Sequence, residues 1–467
     1  MNMDFNIPMP NPVLQIEARL SPQCSTPYLQ MRERIHYFLT STKASLVCFQ
    51  LVSGIAEAQD ELVRTFVEQI WVAERSGSLS PSPLENNSSQ TFSTGSEPVS
   101  SSATLSMGTQ ICEINSVDLS IHVYQLNDEG ATEEFDYDRS DHDQPAMMAH
   151  HWVLPCREFE GIWDNLIFDD QVQIKLLEYV YTTFLFSDKN VNPDLVSWNR
   201  VVLLHGPPGT GKTSLCKGLA QKLSVRLSGR YRHGKLLEIN SHSLFSKWFS
   251  ESGKMVQKLF NEIWTMVEDP DVFVCLLIDE VESLAAARKA ALSGTEPSDS
   301  IRVVNALLTQ IDRLKQKRNV LILTTSNITE AIDIAFVDRA DIKMHIGLPS
   351  ANAIYSMFKA SLDELQRAGI IQPKVSLMDY RTLQLHQQFS TNGSGPSPSS
   401  DSETASTHLF RIAQAAAGLS GRGIRRLPFL AHAGFVQAPV AQMTTYLYGL
   451  HRAVQQEQHT RQQFIQQ

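Results

Sequence analysis

Eight consecutive residues, from Gly206 to Thr213, have the types and spacing of a phosphate-binding loop. They fit the pattern G-x-x-x-x-G-K-[ST], in which glycines let the backbone curl until its N–H groups face phosphate oxygens. We expect Lys212 to reach the β- and γ-phosphates of a nucleotide and Thr213 to hold Mg²⁺. The residues predicted to bind nucleotide in this loop are Gly206, Pro207, Pro208, Gly209, Thr210, Gly211, Lys212 and Thr213.

The segments on both sides of this loop supply the strand and the helix that a P-loop needs. The apolar run 201–204 precedes it and predicts a buried strand, whereas 214–220 has the pattern of a helix. The N-terminus of that helix adds a positive dipole beside the phosphates. A Gly-rich turn without a ligand is the alternative, but it does not explain the flanking strand and helix. We therefore predict nucleotide binding.

Two adjacent acids, Asp279 and Glu280, follow the continuous apolar run 272–278, which predicts a buried strand. An acid at the C-terminal end of a core strand can reach the Mg²⁺ held by Thr213, so we assign Asp279 to the nucleotide and its metal. Glu280 is placed to polarise a water for attack on the γ-phosphate. A charged exit from a strand is the alternative; with the P-loop present, the pair indicates ATP hydrolysis.

Asn327 ends the stretch 319–327, another predicted buried strand, with a polar amide. It can hydrogen-bond the attacking water or the γ-phosphate, which is the role called sensor 1. Asn at the end of a strand is more often a turn former, so this assignment depends on the other motifs.

Composition limits the other classes of function. The chain has 467 residues, a net charge of −10 and 42% hydrophobic residues, which allow sizeable cores and argue against a protein that coats nucleic acid. We expect no signal peptide and no membrane span, because the N-terminal residues lack the required pattern and no apolar run is long enough. The six scattered cysteines predict reduced, packed thiols.

The alternation of apolar strands with helical segments predicts an α/β fold with a parallel five-stranded sheet. A C-terminal helical lid follows it, and a small mixed α/β domain precedes it. The predicted strands are 201–204, 236–239, 272–278, 320–325 and about 342–346, and the predicted lid helices are 351–366, 408–417 and 440–456. The predicted domains are 1–150, 151–349 and 350–467.

Three segments are predicted to lie outside the packed cores. Residues 76–108 and about 390–407 are rich in Ser, Pro, Thr and Asn with few aliphatic residues, so we expect disordered inserts. The acidic run within 128–143 predicts a solvated linker.

The P-loop, the two acids, Asn327 and the helical lid together resemble an AAA+ ATPase. Longer stretches are similar to the pachytene checkpoint protein 2 family, also called thyroid-receptor-interacting AAA+ ATPase. The similarity is dense from about 151 to 439, weaker over 109–150 and thin before that. The stretches that carry it are 237–254, 294–299, 336–343 and 418–422.

This resemblance implies a homohexameric remodeller that uses ATP and Mg²⁺ to unfold HORMA-domain proteins partially by threading them through a pore. It implies action in meiotic recombination and synapsis control and in spindle checkpoint inactivation, through a HORMA-like adaptor. The N-terminal domain would bind the client or adaptor. The implied location is the nucleus and cytoplasm, on chromosomes in meiosis. No membrane partner and no direct nucleic-acid binding are expected.

Two arginines take roles by their positions in the resemblance. Arg339 resembles the arginine finger, which reaches the γ-phosphate of a neighbouring subunit, and Arg422 resembles sensor 2, a lid arginine. A guanidinium fork stabilises developing phosphoryl charge, which makes both roles chemically sound. The alternative is that each arginine forms a surface ion pair, for Arg339 with Asp338 or Asp341.

Trp248 and Phe249 fall after the second predicted strand, where AAA+ unfoldases place an aromatic pore loop. Aromatic side chains on a loop can grip an extended chain without requiring a particular sequence. Core packing is the usual role of adjacent aromatics, but the polar residues around this pair, Ser246, Ser250 and Glu251, favour a loop.

Two rival functions remain at this stage. An AAA+ nucleic-acid motor or loader would be stimulated by DNA rather than by protein. A scaffold that uses ATP only to oligomerise would not turn it over, and Glu280 and Arg339 argue against it. The acidic balance and the aromatic pair favour a protein remodeller.

Changing both Trp248 and Phe249 to Ala should abolish remodelling but spare nucleotide binding and thermal stability. If these were core residues, each truncation would cost about 3–5 kcal/mol. Thermal melting and a client-conversion assay separate the two cases. A much lower melting temperature, or normal remodelling, would contradict the pore assignment.

Overall fold

The computed structural model describes most of the chain, and its compact parts form two units. The first unit comprises Met1–Gly130, Val153–Glu158 and Gln221–Gly234, and the second comprises Ala131–Trp152, Phe159–Ala220 and Lys235–Gln467. The described residues are 11–76, 111–135, 147–169, 171–192, 195–196, 198, 200–241, 252–284, 299–328, 334–390 and 401–465.

The first unit is built on a four-stranded sheet in which β1 is an inner strand. This strand pairs antiparallel with β4 and parallel with β6, and the sheet order is β3-β4-β1-β6. A separate antiparallel pair joins β2 and β5. The strands are β1 (Val13–Leu20), β2 (Ser45–Val47), β3 (Gln50–Leu51), β4 (Val67–Ser76), β5 (Ile111–Glu113) and β6 (Asp118–Gln125); the helices are α1 (Tyr28–Thr42) and α2 (Glu61–Phe66).

Alternation along β1 separates an apolar face from a polar one, because successive side chains of a strand point to opposite faces. Leu14, Ile16, Ala18 and Leu20 are buried in one cluster with residues of α1 such as Met31 and Ile35. This agrees with the small mixed α/β domain that the sequence predicts here.

The other face of β1 carries Glu17, which lies in a buried cluster of charges. Its carboxylate accepts hydrogen bonds from Lys222 Nζ and Arg226 Nε, each at 2.7 Å. Arg226 also forms a bidentate ion pair with Glu74, in which Nη1 and Nη2 donate to Oε1 and Oε2 at 2.8 and 2.9 Å. Burial alone would raise the pKa of Glu17, but the two cations outweigh it and lower that pKa to about 2.

The second unit contains a seven-stranded sheet in the order β13-β9-β12-β11-β10-β8-β7. Strands β11, β12, β9 and β13 pair in parallel, whereas β7 and β8 are antiparallel. All five predicted strands are present, but the count of five was wrong for the whole sheet. The strands are β7 (Thr132–Phe135), β8 (Met147–Leu154), β9 (Val201–His205), β10 (His233–Asn240), β11 (Val272–Asp279), β12 (Val320–Ser326) and β13 (Ile342–His345).

The extra strand β7 also corrects the prediction of a solvated acidic linker for residues 132–135; residues 136–143 of that predicted linker lie outside the described part. Residues Thr132 to Phe135 pair with β8, although two of the four are glutamates. Strand β7 ends the sheet order, and charged residues are well tolerated on an edge strand. Backbone hydrogen bonding to β8 therefore makes 132–135 a strand despite its acidic composition.

Helices flank this sheet, and their apolar stripes complete its core. Strands β11 and β12 are buried almost throughout, as expected of strands covered on both faces. Leu259, Ile263, Leu307 and Ile311 belong to the same cluster. The helices of this region are α3 (Ile162–Asn165), α4 (Val172–Asp188), α5 (Lys212–Arg226), α6 (Ser252–Glu268), α7 (Asp299–Leu314) and α8 (Ile334–Val337).

The helical lid has its own apolar core, which includes Phe358, Leu409, Ile424 and Leu450. The prediction of a disordered insert over about 390–407 was wrong for 401–407, which belong to a helix with Ala405 and Ser406 buried; residues 391–400 lie outside the described part. The lid helices are α9 (Ala351–Arg367), α10 (Tyr380–Ser390), α11 (Asp401–Ala415), α12 (Gly421–Ala431) and α13 (Met443–Ile465), and a π-helix, His432–Val436, follows α12.

The cysteines agree with the composition-based expectation. All six cysteines are free and buried, as predicted for packed thiols. Within the described ranges, no helix combines the length and the apolarity needed to cross a bilayer. The predicted insert 76–108 lies almost entirely outside the described residues.

Replacing Glu17 with Gln should destabilise the first unit by about 3–5 kcal/mol, because two buried cations lose their shared counter-charge. Since the pKa of Glu17 is lowered from 4.5 to about 2, its contribution is complete above about pH 4.5 and is lost as the pH falls towards 2. Urea unfolding of both proteins at neutral pH and at about pH 3 measures this. The difference in the free energy of unfolding between the wild type and Glu17→Gln should be smaller at the lower pH.

The matched control is Glu33→Gln, because Glu33 is exposed on α1. It should change the free energy of unfolding by less than about 0.5 kcal/mol. Equal stability of the two variants, or a deficit that does not depend on pH, would contradict the buried-pair interpretation.

Candidate active site

The predicted P-loop lies between β9 and α5, as its flanking patterns indicate. Gly206 donates its N–H to Ser326 O at 3.2 Å, which ties the loop to β12. Its φ is +142°, and a Cβ added there would lie 2.2 Å from Ile346 O. Gly209 also has positive φ, at +74°. No side chain fits at Gly206, so the loop can take this path only with glycine there.

Lys212 begins α5 and is almost fully buried, with 4% of its surface exposed. Its amine donates to Gly206 O at 2.9 Å and to Pro207 O at 2.8 Å. Burial lowers the pKa of Lys212, whereas the charges of Glu282 and Asp279 oppose that shift. The amine is thus held over the loop that carries the phosphate-facing N–H groups.

Asp279 ends β11 and meets the residue that the sequence pairs with it. The hydroxyl of Thr213 lies 3.1 and 3.2 Å from the two oxygens of this carboxylate. The hydroxyl of Thr325 donates to the same carboxylate. Mg²⁺ binds hydroxyl and carboxylate oxygens together with phosphate oxygens and waters, so Thr213 and Asp279 fit the ion.

Glu280 follows with a φ of +59°, a left-handed conformation that is uncommon for a residue with a side chain. Its backbone N–H donates to Thr325 Oγ1 at 3.3 Å. The side-chain amide of Asn327 donates to Glu280 Oε1 at 3.4 Å. The structure therefore brings the predicted base and the predicted sensor together at the ends of β11 and β12. Strained backbone of this kind is typical of functional sites.

The lid reaches the P-loop through the N-terminus of α12. The backbone N–H of Arg422 donates to Gly209 O at 3.0 Å. Ser420 caps the helix, and a Cβ on Gly209 would lie 3.1 Å from its hydroxyl. Arg422 is thereby placed next to the loop, with its side chain exposed. This position is compatible with the sensor 2 role.

Arg339 lies between α8 and β13 and forms an ion pair within its own chain. Its Nε and Nη2 donate to Asp312 of α7, at 3.0 and 2.8 Å. Asp312 stands 27 residues earlier, so it was not among the partners considered from sequence. The other predicted functional pair, Trp248 and Phe249, lies outside the described residues.

A cavity next to the P-loop is lined by a mostly apolar set of residues. Asp169, one of the lining residues, accepts the backbone N–H of Ser350 at 3.0 Å, and Ser350 caps the first lid helix. Apolar walls with a few backbone polar groups suit a planar heterocyclic base. The cavity is lined by Ile167, Phe168, Asp169, Val172, Thr210, His345, Ile346, Gly347, Leu348, Pro349, Met357 and Gly421.

Sequence reasoning missed two residues of this site. Thr325 holds Asp279 and Glu280 from the neighbouring strand, and Glu282 accepts the backbone N–H of Asn327 at 3.1 Å. Glu282 could have been found as a third acid closely following Asp279. Thr325 has no local signal, because only strand pairing brings it to the acids.

Comparisons with known proteins agree with this site. Residues 202–348 match the ATPase family associated with various cellular activities (AAA), and residues 350–458 match the TRIP13-like AAA+ ATPase lid C-terminal domain. The pachytene checkpoint protein 2 homolog of Homo sapiens is 54% identical over 348 residues, which cover 74% of this chain and 78% of that protein. This chain belongs to the pachytene checkpoint protein 2 family.

Other members of the pachytene checkpoint protein 2 family give the same result. The Danio rerio homolog is 50% identical over 350 residues, which cover 75% of this chain and 80% of that protein. The solved structure of C. elegans PCH-2 is 36% identical, with a TM-score of 0.70 over 96% of this chain and 99% of that chain. The chain is therefore an ATPase that combines an AAA domain with a TRIP13-like lid, as the sequence predicted.

Gly206→Ala should weaken ATP binding at least about tenfold, which corresponds to about 1.4 kcal/mol, because the added methyl group collides with Ile346 O and must displace the loop. Titration with a fluorescent ATP analogue measures the affinity. The control is Gly434→Ala, since a Cβ at Gly434 has no heavy atom within 4 Å. Unchanged affinity in a folded Gly206→Ala protein would contradict the loop geometry.

Proposed function

We propose that this ATPase is a homohexameric remodeller that partially unfolds HORMA-domain proteins. One observation carries the proposal: the lid helix α12 is bonded directly to the P-loop, through Arg422 N–H and Gly209 O. A change at the phosphates therefore reaches the lid through a backbone contact. Family membership supports the coupling of this motion to a protein client.

Each residue of the site has a defined part in ATP hydrolysis. Lys212 and the loop N–H groups hold the phosphates, and Thr213 and Asp279 would hold Mg²⁺. That ion neutralises charge on the β- and γ-phosphate oxygens when it is bound. Glu280 takes a proton from the attacking water. Asn327, whose amide lies 3.4 Å from Glu280 Oε1, orients that water.

The two arginines complete the charge stabilisation from opposite sides. Arg422 contacts the γ-phosphate of its own subunit after a movement of its exposed side chain. Arg339 acts on the neighbouring subunit and exchanges its bond with Asp312 for a phosphate oxygen. A guanidinium suits both arrangements, because its planar fork binds carboxylate and phosphate oxygens alike.

Client handling is assigned to two other parts of the chain. The N-terminal domain docks the HORMA-domain client or its HORMA-like adaptor; its independent sheet and core support a module of this kind. Trp248 and Phe249 grip the client in the pore. We place the protein in the nucleus and cytoplasm, acting on meiotic chromosomes and in spindle checkpoint inactivation. The relatives' name, pachytene checkpoint protein 2, supports the meiotic role.

Glu280→Gln should bind ATP as the wild type does but hydrolyse it at least about 10²-fold more slowly, because the amide cannot accept the proton from water. The variant should accumulate as an ATP-bound hexamer that retains its client. Nucleotide titration, ATP turnover and size-exclusion chromatography with a HORMA-domain client and its adaptor measure these effects. The control is Glu178→Gln, since Glu178 is exposed on α4.

Two results would contradict this proposal. Wild-type turnover by Glu280→Gln would remove Glu280 from the role of base. Stimulation of the native ATPase by DNA, and not by a HORMA-domain client with its adaptor, would favour a nucleic-acid motor or loader instead.

A further inference from the structure

Glu282 is a third carboxylate at the ends of β11 and β12, after Asp279 and Glu280. Its Oε1 accepts the backbone N–H of Asn327 at 3.1 Å. The chain around Glu282 is itself fixed by β12, because Val281 donates its N–H to Thr325 O at 3.0 Å. Glu282 therefore links the turn after β11 to the turn after β12.

The second oxygen of Glu282 is buried, and it has no hydrogen-bond partner within the described ranges. A buried acceptor without a donor costs about 1–3 kcal/mol, so fold stability alone does not explain this carboxylate. The charge of Glu282 also opposes the lowering of the Lys212 pKa by burial. The first oxygen of Glu282 is bonded to the turn that carries Asn327, at the edge of the sheet where Asp279 and Glu280 lie.

The alignment of Asn327 with Glu280 depends on the backbone at Asn327. Their side chains are 3.4 Å apart, which is near the limit of a hydrogen bond and gives little holding force of its own. The stronger bond at this position is the one that Glu282 accepts. A shift of about 1 Å in a group of this kind can lower turnover about 10²-fold.

We propose that Glu282 is a positioning residue for ATP hydrolysis, which holds the backbone of Asn327 so that its amide faces Glu280. This inference rests on the roles proposed above for Asn327 and Glu280. Glu282 would act through the acceptor oxygen of its side chain and would touch neither ATP nor the attacking water.

Two substitutions of similar size separate the acceptor from the charge. Glu282→Gln keeps an acceptor oxygen, and Glu282→Met removes it while filling the same space. We expect Glu282→Gln to retain kcat within about threefold, and Glu282→Met to lower kcat at least about tenfold while the Kd for ATP changes less than about threefold. Glu262→Met is the control, because Glu262 is exposed on α6.

A double-mutant cycle with Asn327→Ala tests whether Glu282 acts through Asn327. Asn327→Ala removes the amide that needs positioning, so adding Glu282→Met should cause no further loss of kcat. Non-additivity of this kind indicates that two residues act as one unit. Melting temperatures confirm that the variants are folded, and Glu282→Ala replaces Glu282→Met should the latter not fold.

The possible failures are distinguishable. A slow Asn327→Ala with a normal Glu282→Met overturns this inference but leaves the sensor role of Asn327 intact. An Asn327→Ala variant with the kcat of the wild type overturns both the sensor role of Asn327 and the positioning role of Glu282. If the two losses of kcat add up in the double variant, Glu282 acts through a group other than Asn327, which also overturns the inference. A Glu282→Gln variant as slow as Glu282→Met shows that charge, and not the acceptor oxygen, is required, and this also overturns the inference.

Discussion

The site depends on the close packing of the P-loop against the two neighbouring strands of the sheet. Gly206 N–H is bonded to Ser326 O at the end of β12, and Ile346 O, just after β13, fills the space that a Cβ would need. Backbone groups of both neighbouring strands therefore hold the first residue of the loop. The buried amine of Lys212, at the start of α5, is in turn bonded to the carbonyls of Gly206 and Pro207.

Parallel pairing then determines which polar residues gather around the loop. Strands β9, β11 and β12 are neighbours with their C-terminal ends at one edge, so the acids after β11 and the amide after β12 meet. Thr325 secures this arrangement, since its hydroxyl contacts the carboxylate of Asp279 and the N–H of Glu280. Thr325 is buried like an ordinary core residue, yet it contacts both acids, and Asn327 two residues later donates to Glu280.

The lid joins this assembly through backbone contacts and not only through side chains. The N-terminus of α12 donates to Gly209 O, while Ser350 at the start of α9 donates to Asp169 beside the cavity. Both lid contacts lie at helix N-termini, where unpaired N–H groups are available. The lid is thus bonded both to the P-loop and to Asp169 of the cavity wall.

The sequence by itself determined the P-loop, Asp279, Glu280, Asn327, the five core strands and the helical lid. These features follow from local spacing and periodicity, which a short window contains. Only the tertiary structure decided the strand β7, the early start of α11, the buried pairing of Glu17 with Arg226, the Arg339–Asp312 fork, and the roles of Thr325 and Glu282. Each of these depends on partners that are distant in sequence or on backbone pairing that outweighs composition, so no local pattern specifies them.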